Sequence, residues 1–317
     1  MKAFITGAAG FVGSYLIDAL LSENYEVIAA KLPNESISSD KCKILDLDIL
    51  DGGRVNTVIR EVRPDAVFHL AAQSSVKLSK EKPALTMDVN INGTANLLEA
   101  LNGLDYKPRV LLVGSSEEYG SVPESGNPLN EQMQTRPESI YAATKAYQTM
   151  LGKVCAETFG LDIVMVRAFN HTGPGQSETF VVSDFCKQAA EIEAGIREPV
   201  IYTGNLSAKR DFTDVRDVVK AYISLIHKGE KGEVYNVGSG KAVEISKILE
   251  IIINSSTAKI KTEIDKTKLR PVDAPVIEAD TRKIRDCTNW VPEIDLEVTI
   301  AQTLQFWRGE ISKRKNI

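Results

Sequence analysis

Lys2-Ala3-Phe4-Ile5-Thr6-Gly7-Ala8-Ala9-Gly10-Phe11-Val12-Gly13 opens the chain, and its reading decides the fold. Lys2 to Thr6 is short, mostly apolar and bounded by Gly7, as a strand buried in a parallel sheet should be. A helical pattern follows at once. Without side chains at Gly7 and Gly10, the backbone can turn tightly, and the N–H groups at the positive end of the helix dipole can approach a pyrophosphate. Gly13 lets helix and strand pack closely, and the spacing is GxxGxxG rather than GxGxxG. A plain strand-turn-helix is the alternative, but the turn stands at the head of a long α/β pattern, which favours the phosphate cradle.

Outward from this turn, strand-like runs at Glu26–Ala30, Cys42–Leu47, Ala66–Leu70, Arg109–Val113 and Ile163–Arg167 alternate with helical stretches at Gly53–Val62, Pro83–Leu101 and Tyr141–Phe159. This βαβ alternation predicts an α/β fold, a doubly wound parallel sheet of Rossmann type whose ligand crevice lies at the carboxyl ends of the strands. After about residue 170 the pattern turns irregular and rich in Gly, Pro and Arg, before Asp214–Lys228 and Glu233–Val237 read as helix and strand returning to the sheet. The expected division is a dinucleotide-binding domain over 1–170 and 213–238, and a smaller, discontinuous substrate lobe over 171–212 and 239–317.

With 317 residues the chain is long enough for one large core plus a lobe. Its 38 basic and 43 acidic residues give a net charge of −5 with no long basic run, so neither nucleic acid nor an anionic membrane is an expected partner. Cys42, Cys155, Cys186 and Cys287 lack metal-ligand spacing and read as small buried thiols, with no disulfide and no metal. The chain enters a strand without a basic and apolar leader, and no apolar run approaches bilayer length. The expected compartment is the cytoplasm.

Tyr141 and Lys145 are four apart, so on a helix they share a face, roughly 6 Å apart at Cβ. A neighbouring ammonium should favour the phenolate and bring it towards working pH for proton exchange with a carbonyl or alcohol. Ser115 ends the apolar strand Val110-Leu111-Leu112-Val113 and opens Ser115-Ser116-Glu117-Glu118-Tyr119-Gly120, where the crevice should lie. A hydroxyl, a phenol and an ammonium around a nicotinamide could polarise a C=O during hydride transfer, which points to a carbonyl/alcohol oxidoreductase.

On these residues, together with Asp48 after the third strand, His69-Leu70-Ala71-Ala72 and Asn90-Ile91-Asn92-Gly93-Thr94, the chain resembles the extended short-chain dehydrogenase/reductase family over nearly its whole length. The resemblance implies that Ser115, Tyr141 and Lys145 are catalytic, with Glu117 beside them. It implies cofactor contacts from Gly7, Gly10, Phe11, Val12, Gly13, Lys31, Asp48, Ile49, Leu70, Ala71, Ala72 and Asn90, shared with Tyr141 and Lys145.

Arg167-Ala168-Phe169-Asn170-His171-Thr172-Gly173-Pro174-Gly175-Gln176, Gly204-Asn205-Leu206, Arg210-Asp211-Phe212-Thr213-Asp214 and Leu269-Arg270-Pro271 are similar to the GDP-sugar branch of that family. By this resemblance Ser74, Glu117, Asn170, Lys187, Gly204, Arg210 and Arg270 would bind the substrate, guanidinium forks suiting phosphate oxygens. Two activities stay open, ahead of a non-catalytic dinucleotide-binding regulator, which the intact Ser115, Tyr141 and Lys145 set disfavours. One is reduction of the C4 keto group of GDP-6-deoxy-4-keto-D-mannose to GDP-D-rhamnose. The other is 4,6-dehydration of GDP-mannose, or a related dehydration or epimerisation with recycled cofactor, in which Glu117 would be an added acid/base. Ser115 where the dehydratases have Thr, and Phe11-Val12 where they have Gln-Asp, favour the reductase. Ile140 also departs from the proline usual before the tyrosine. The second strand ends in Lys31 rather than in the carboxylate that grips an NAD ribose, which favours NADPH, with NADH as the other candidate. The short stretch from Lys31 to Cys42, and the family habit of pairing through long helices, imply a homodimer.

Overall fold

The computed structural model describes residues 1–37, 39–268 and 274–315. Arg270 and the Leu269-Arg270-Pro271 string lie outside the described residues.

Strand β1 (Lys2–Thr6) runs through the glycine turn into α1 (Phe11–Ser22), and β2 (Glu26–Lys31), β3 (Lys43–Asp46), α2 (Gly52–Val62) and β4 (Ala66–His69) continue the alternation. Two short helices, α3 (Val76–Glu81) and α4 (Pro83–Met87), lead through a π-turn at Asp88–Asn92 into α5 (Gly93–Asn102). Next come β5 (Arg109–Ser115), the long α6 (Ile140–Thr158) and β6 (Asp162–Ala168). The chain then forms β7 (Asn170–Thr172), α7 (Val181–Glu193), β8 (Val200–Thr203), β9 (Lys209–Asp214) and α8 (Val215–Lys228) before β10 (Val234–Val237).

One seven-stranded sheet runs in the order β10-β6-β5-β4-β1-β2-β3, parallel throughout. From β1 the chain works outward to one edge; from β4 it works outward to the other. The two strands therefore flank a topological switch point, where the crevice of a doubly wound sheet opens. Side chains from α1 and α8 cover one face, including Leu16, Leu20, Val218 and Tyr222. Those from α2, α5 and α6 cover the other, including Val55, Ile59, Leu97 and Cys155. Burial on both faces is why these strands read as apolar runs without alternation.

The single helix expected over Pro83–Leu101 is interrupted by the π-turn. Within that turn Asn90 is 1% exposed, and its side chain bonds Gln73 and Thr144. A local change of helical pitch that buries a polar side chain is a common device near functional sites.

The remaining elements are β11 (Ala242–Glu244), α9 (Ile245–Asn254), β12 (Lys261–Ile264), β13 (Val276–Ile277), α10 (Arg282–Thr288) and α11 (Leu296–Lys315). Strand β9 pairs with β7, β11 and β13, and β8 with β12. Helices α7, α9 and α11 bury Phe185, Ile248, Leu304 and Trp307 among them. This region, read from sequence as irregular, thus holds three regular helices that Gly- and Pro-containing connections obscure. Cys155 and Cys186 are buried, whereas Cys42 and Cys287 are only partly so. Among the described residues no helix is long and apolar enough to cross a membrane.

Candidate active site

The carboxyl ends of β1, β4, β5 and β6 open on one cavity of about 940 Å³. Gly7 has φ +68°, and a Cβ there would lie 2.7 Å from the Ala71 Cα, so the turn requires glycine twice over. A Cβ on Gly13 would lie 2.7 Å from the Ala8 carbonyl carbon, where α1 packs on the turn. Helix α1 starts at Gly10 with no side-chain cap and no acidic residue in its first turn. Its leading N–H groups have no partner within the helix, and they belong to Phe11, Val12 and Gly13, which line the cavity with Gly7 and Gly10. This bare, positively polarised cradle fits a dinucleotide pyrophosphate.

Lys31, Asp48, Ile49, Leu70, Ala71, Ala72 and Ser74 line the same cavity. Lys31 Nζ is 2.5 Å from Asp46 Oδ1 and donates to the Leu32 carbonyl, so a carboxylate already shares the charge expected to meet a 2′-phosphate. Asn90 is not among the lining residues. Its amide donates to Thr144 Oγ1 at 2.9 Å and to the Gln73 carbonyl, and its Oδ1 accepts from Gln73 N–H. Both ends of the side chain fasten the loop after β4 to α6, and the adjacent Val89 lines the cavity.

His69 sits beneath this loop, 1% exposed. Thr94 spends its only hydroxyl proton on the Asn90 carbonyl, so it must accept from His69 Nε2–H, leaving His69 Nδ1 to accept from Thr6. Burial, then the Lys145 charge, pulls this imidazole down to about 3. It is a neutral core residue.

Ser115, Tyr141 and Lys145 come together at the centre, each less than a tenth exposed. Ser115 closes β5 and caps the 3₁₀ turn Ser116–Tyr119: its Oγ accepts from Glu117 N–H at 3.2 Å, while its own N–H donates to Glu118 Oε1 at 2.9 Å. With a lone pair of Oγ so used, the hydroxyl proton is left to donate. Ser139 caps α6 through Ala142 N–H, starting the helix two residues before Tyr141. Burial pushes the Tyr141 phenol up to about 12; a hydrogen bond with Ser115 opposes the rise, and the charges of Glu117 and Glu118 add to it.

The expected lowering of the phenol by its neighbour is therefore not found. Lys145 Nζ donates instead to the Val113 carbonyl at 2.7 Å and to Gln148 Oε1 at 3.0 Å. Burial pulls this ammonium down to about 8, with Glu118 opposing. Glu117 lines the cavity beside these groups.

In the outer half, Asn170, Gly204 and Arg210 line the cavity. Arg210 donates to the carbonyls of Lys209 and Ala274, which sets the direction of its guanidinium. Lys187 is not among the lining residues, although its partner Glu178 is. Its ammonium is 3.1 Å from Glu178 and 3.9 Å from Glu191, and lies 5.6 Å over the Trp307 ring. Sequence reasoning missed the stacked pair of Phe11 and His171, the ion pair of Asp184 and Lys268, and the buried group around Glu118 and Arg167. The placement of Thr149 one helical turn beyond Lys145 and two beyond Tyr141 was the one sequence signal for that last group.

A glycine cradle at the β1 and β4 switch point, with serine, tyrosine and lysine at the β5 end, defines an enzyme of the extended short-chain dehydrogenase/reductase type. The chain belongs to the GDP-mannose 4,6 dehydratase family, whose family model matches residues 4–303. It is 30% identical to the GDP-6-deoxy-D-mannose reductase of Pseudomonas aeruginosa over 310 residues, covering 98% of both chains. It is 28% identical to the GDP-mannose 4,6-dehydratase of Yersinia enterocolitica, across 99% of this chain and 95% of that one. The solved structure of RMD from Pseudomonas aeruginosa complexed with NADPH is similar at a TM-score of 0.87, with 30% identity, 98% of this chain and 99% of that chain covered.

Proposed function

We propose that the protein reduces the C4 keto group of GDP-6-deoxy-4-keto-D-mannose with NADPH, giving GDP-D-rhamnose. The observation that carries this reading is the placement of the buried Tyr141 and Ser115 in the same cavity as the glycine cradle. A phenol beside a serine hydroxyl can give its proton to a keto oxygen, as a reduction needs. The likeness to a reductase along both full chains supports the same choice.

The dinucleotide, when bound, supplies the hydride. Ser115 directs its hydroxyl proton at the keto oxygen and polarises the C=O. Tyr141 gives its proton to the same oxygen as negative charge develops there. Lys145 keeps a positive charge beside the developing alkoxide, and its ammonium fixes α6 against β5. Gly10 to Gly13 would hold the pyrophosphate, Asp48 and Ile49 would contact the adenine, and Lys31 would meet the 2′-phosphate. Arg210, with Asn170, Gly204 and Ser74, would hold the substrate's diphosphate and sugar. Residues 1–170 and 213–238 then form the dinucleotide-binding domain and the rest the sugar-nucleotide lobe, in a cytoplasmic enzyme.

One observation favours a second reading. Glu117 lines the cavity next to Tyr141, where a 4,6-dehydratase would use a carboxylate as acid/base. Two incubations separate the readings: GDP-6-deoxy-4-keto-D-mannose with NADPH, and GDP-mannose with NADP. Oxidation of NADPH with a GDP-6-deoxyhexose as product supports the reductase. A 4-keto sugar formed from GDP-mannose without net cofactor turnover overturns it.

We also propose a homodimer. Ile140, Tyr147, Met150 and Val154 form an exposed apolar stripe on α6, between 36% and 57% exposed, and Leu85 and Met87 extend it from the neighbouring α4. Contiguous apolar surface of this kind marks an interface.

A further inference from the structure

Glu118 is fully buried, which a carboxylate tolerates only when paired and hydrogen-bonded. Its partners come from three elements. Oε1 accepts from the Ser115 N–H of β5 at 2.9 Å and from Thr149 Oγ1 of α6 at 3.1 Å, and Oε2 accepts from Arg167 Nε of β6 at 3.0 Å. The space for the carboxylate exists because residue 114 has no side chain: a Cβ on Gly114 would collide with Glu118 Oε1 and lie 2.7 Å from the Val166 carbonyl oxygen. Gly114 is also the register partner of Arg167 across β5 and β6. Arg167 is held in turn by the Glu131 carbonyl and lies 4.7 Å over the Tyr119 ring.

We propose that Glu118 is a positioning residue of the active site, its carboxylate fixing the Ser115 hydroxyl from behind and locking the helix that carries Tyr141 and Lys145 to the end of β5. It stands behind the cavity wall: Glu117 and Ser116 line the cavity, and Glu118 does not. It acts on Ser115 by completing the capping box that leaves the serine hydroxyl free to donate. Through Thr149 it acts on α6, one turn from Lys145 and two from Tyr141. Displacements on the scale of an ångström at reacting groups are costly, so a brace of this kind has catalytic consequences.

The brace also sets a field. Around the carboxylate stand Arg167 from β6, Tyr119 and Glu117 from its own turn, Tyr141 and Lys145 from α6, and Glu131 beneath Arg167. Burial pushes the Glu118 carboxyl up and Arg167 opposes this; as a carboxylate it adds to the burial that raises Tyr141 and opposes the burial that lowers Lys145.

The inference rests on Ser115, Tyr141 and Lys145 being the reacting set. The test is Glu118→Gln in the full-length protein, assayed as NADPH oxidation against pH with the 4-keto GDP-sugar. Expected is a fall in kcat of roughly 10- to 100-fold with the KM for NADPH within about twofold of wild type, and a basic limb moved to lower pH. Thr149→Val keeps the charge and removes one hydrogen bond, so it should lower kcat by about fivefold and leave the limb in place. A folded Glu118→Gln protein with wild-type kcat and an unmoved limb overturns the proposal. If that variant does not fold, wild-type kcat in Thr149→Val overturns it instead. Tyr141→Phe is the control: full activity there sinks the reading of the reacting set, and this proposal with it, whatever Glu118→Gln does.

Discussion

Lys145 Nζ lies 2.7 Å from the carbonyl oxygen of Val113, two residues before Ser115. A charged hydrogen bond therefore ties the helix bearing the phenol to the strand bearing the hydroxyl. The lysine thus contributes twice, as a buried positive charge and as a fastener between α6 and β5.

If Tyr141 is the proton donor, Tyr141→Phe removes general acid catalysis and little else. The expected loss in kcat is roughly 10²- to 10⁴-fold, while NADPH binding, followed by fluorescence, stays within a few fold of wild type. A loss below tenfold would assign the proton to another group.

The pH profile should follow Lys145 before Tyr141. The ammonium is lost as pH rises through about 8, while the phenol holds its proton until about 12. We expect kcat/KM for reduction to fall above pH 8. A flat profile to pH 9.5 would show that the lysine charge is not needed.

Cofactor choice is a contest at one side chain. Asp46 holds Lys31, and a 2′-phosphate would have to draw the ammonium away from it. Lys31→Ala should lower the kcat/KM ratio of NADPH to NADH by about tenfold, the worth of one charged hydrogen bond. An unchanged ratio would place 2′-phosphate recognition elsewhere.

His69 makes the fold acid-sensitive. Its folded pKa of about 3 lies below the unfolded 6.5, so between those values the unfolded chain binds the proton more readily, and stability is lost as pH falls. At pH 5 this one group costs about 2 kcal/mol. Urea unfolding at pH 7.5 and 5.0 should show that difference shrinking by about this amount in His69→Asn. An equal difference in both proteins would mean that the ring is protonated inside the fold.

The apolar stripe on α6 should be covered by a second copy. Met150→Asp combined with Val154→Asp is expected to convert a dimer to a monomer by light scattering. A wild-type protein that is already monomeric would remove the proposal.

Much of this was legible in the chain alone. The alternation of apolar strands with helical periods, the glycine cradle, and the placement of Tyr141 and Lys145 on one helix face are short-range properties. They follow from 3.6 residues per turn, from sterics at a tight turn, and from burial on both faces of a parallel strand. The partners of charged side chains are not short-range. Sequence reasoning placed Lys187 at the substrate without the ion pairs it makes with Glu178 and Glu191. It placed Asn90 at the cofactor without the bonds its side chain makes to Gln73 and Thr144. It expected a lowered phenol at Tyr141, where burial dominates. It read Glu118 as part of a string, without the cavity beside Gly114 that receives it or the arginine 49 residues away that pairs with it. The sequence determined which groups stand at the crevice. Only the tertiary structure decided their ionisation and their partners, because those depend on how much water is excluded and on which distant residue is brought within 3 Å.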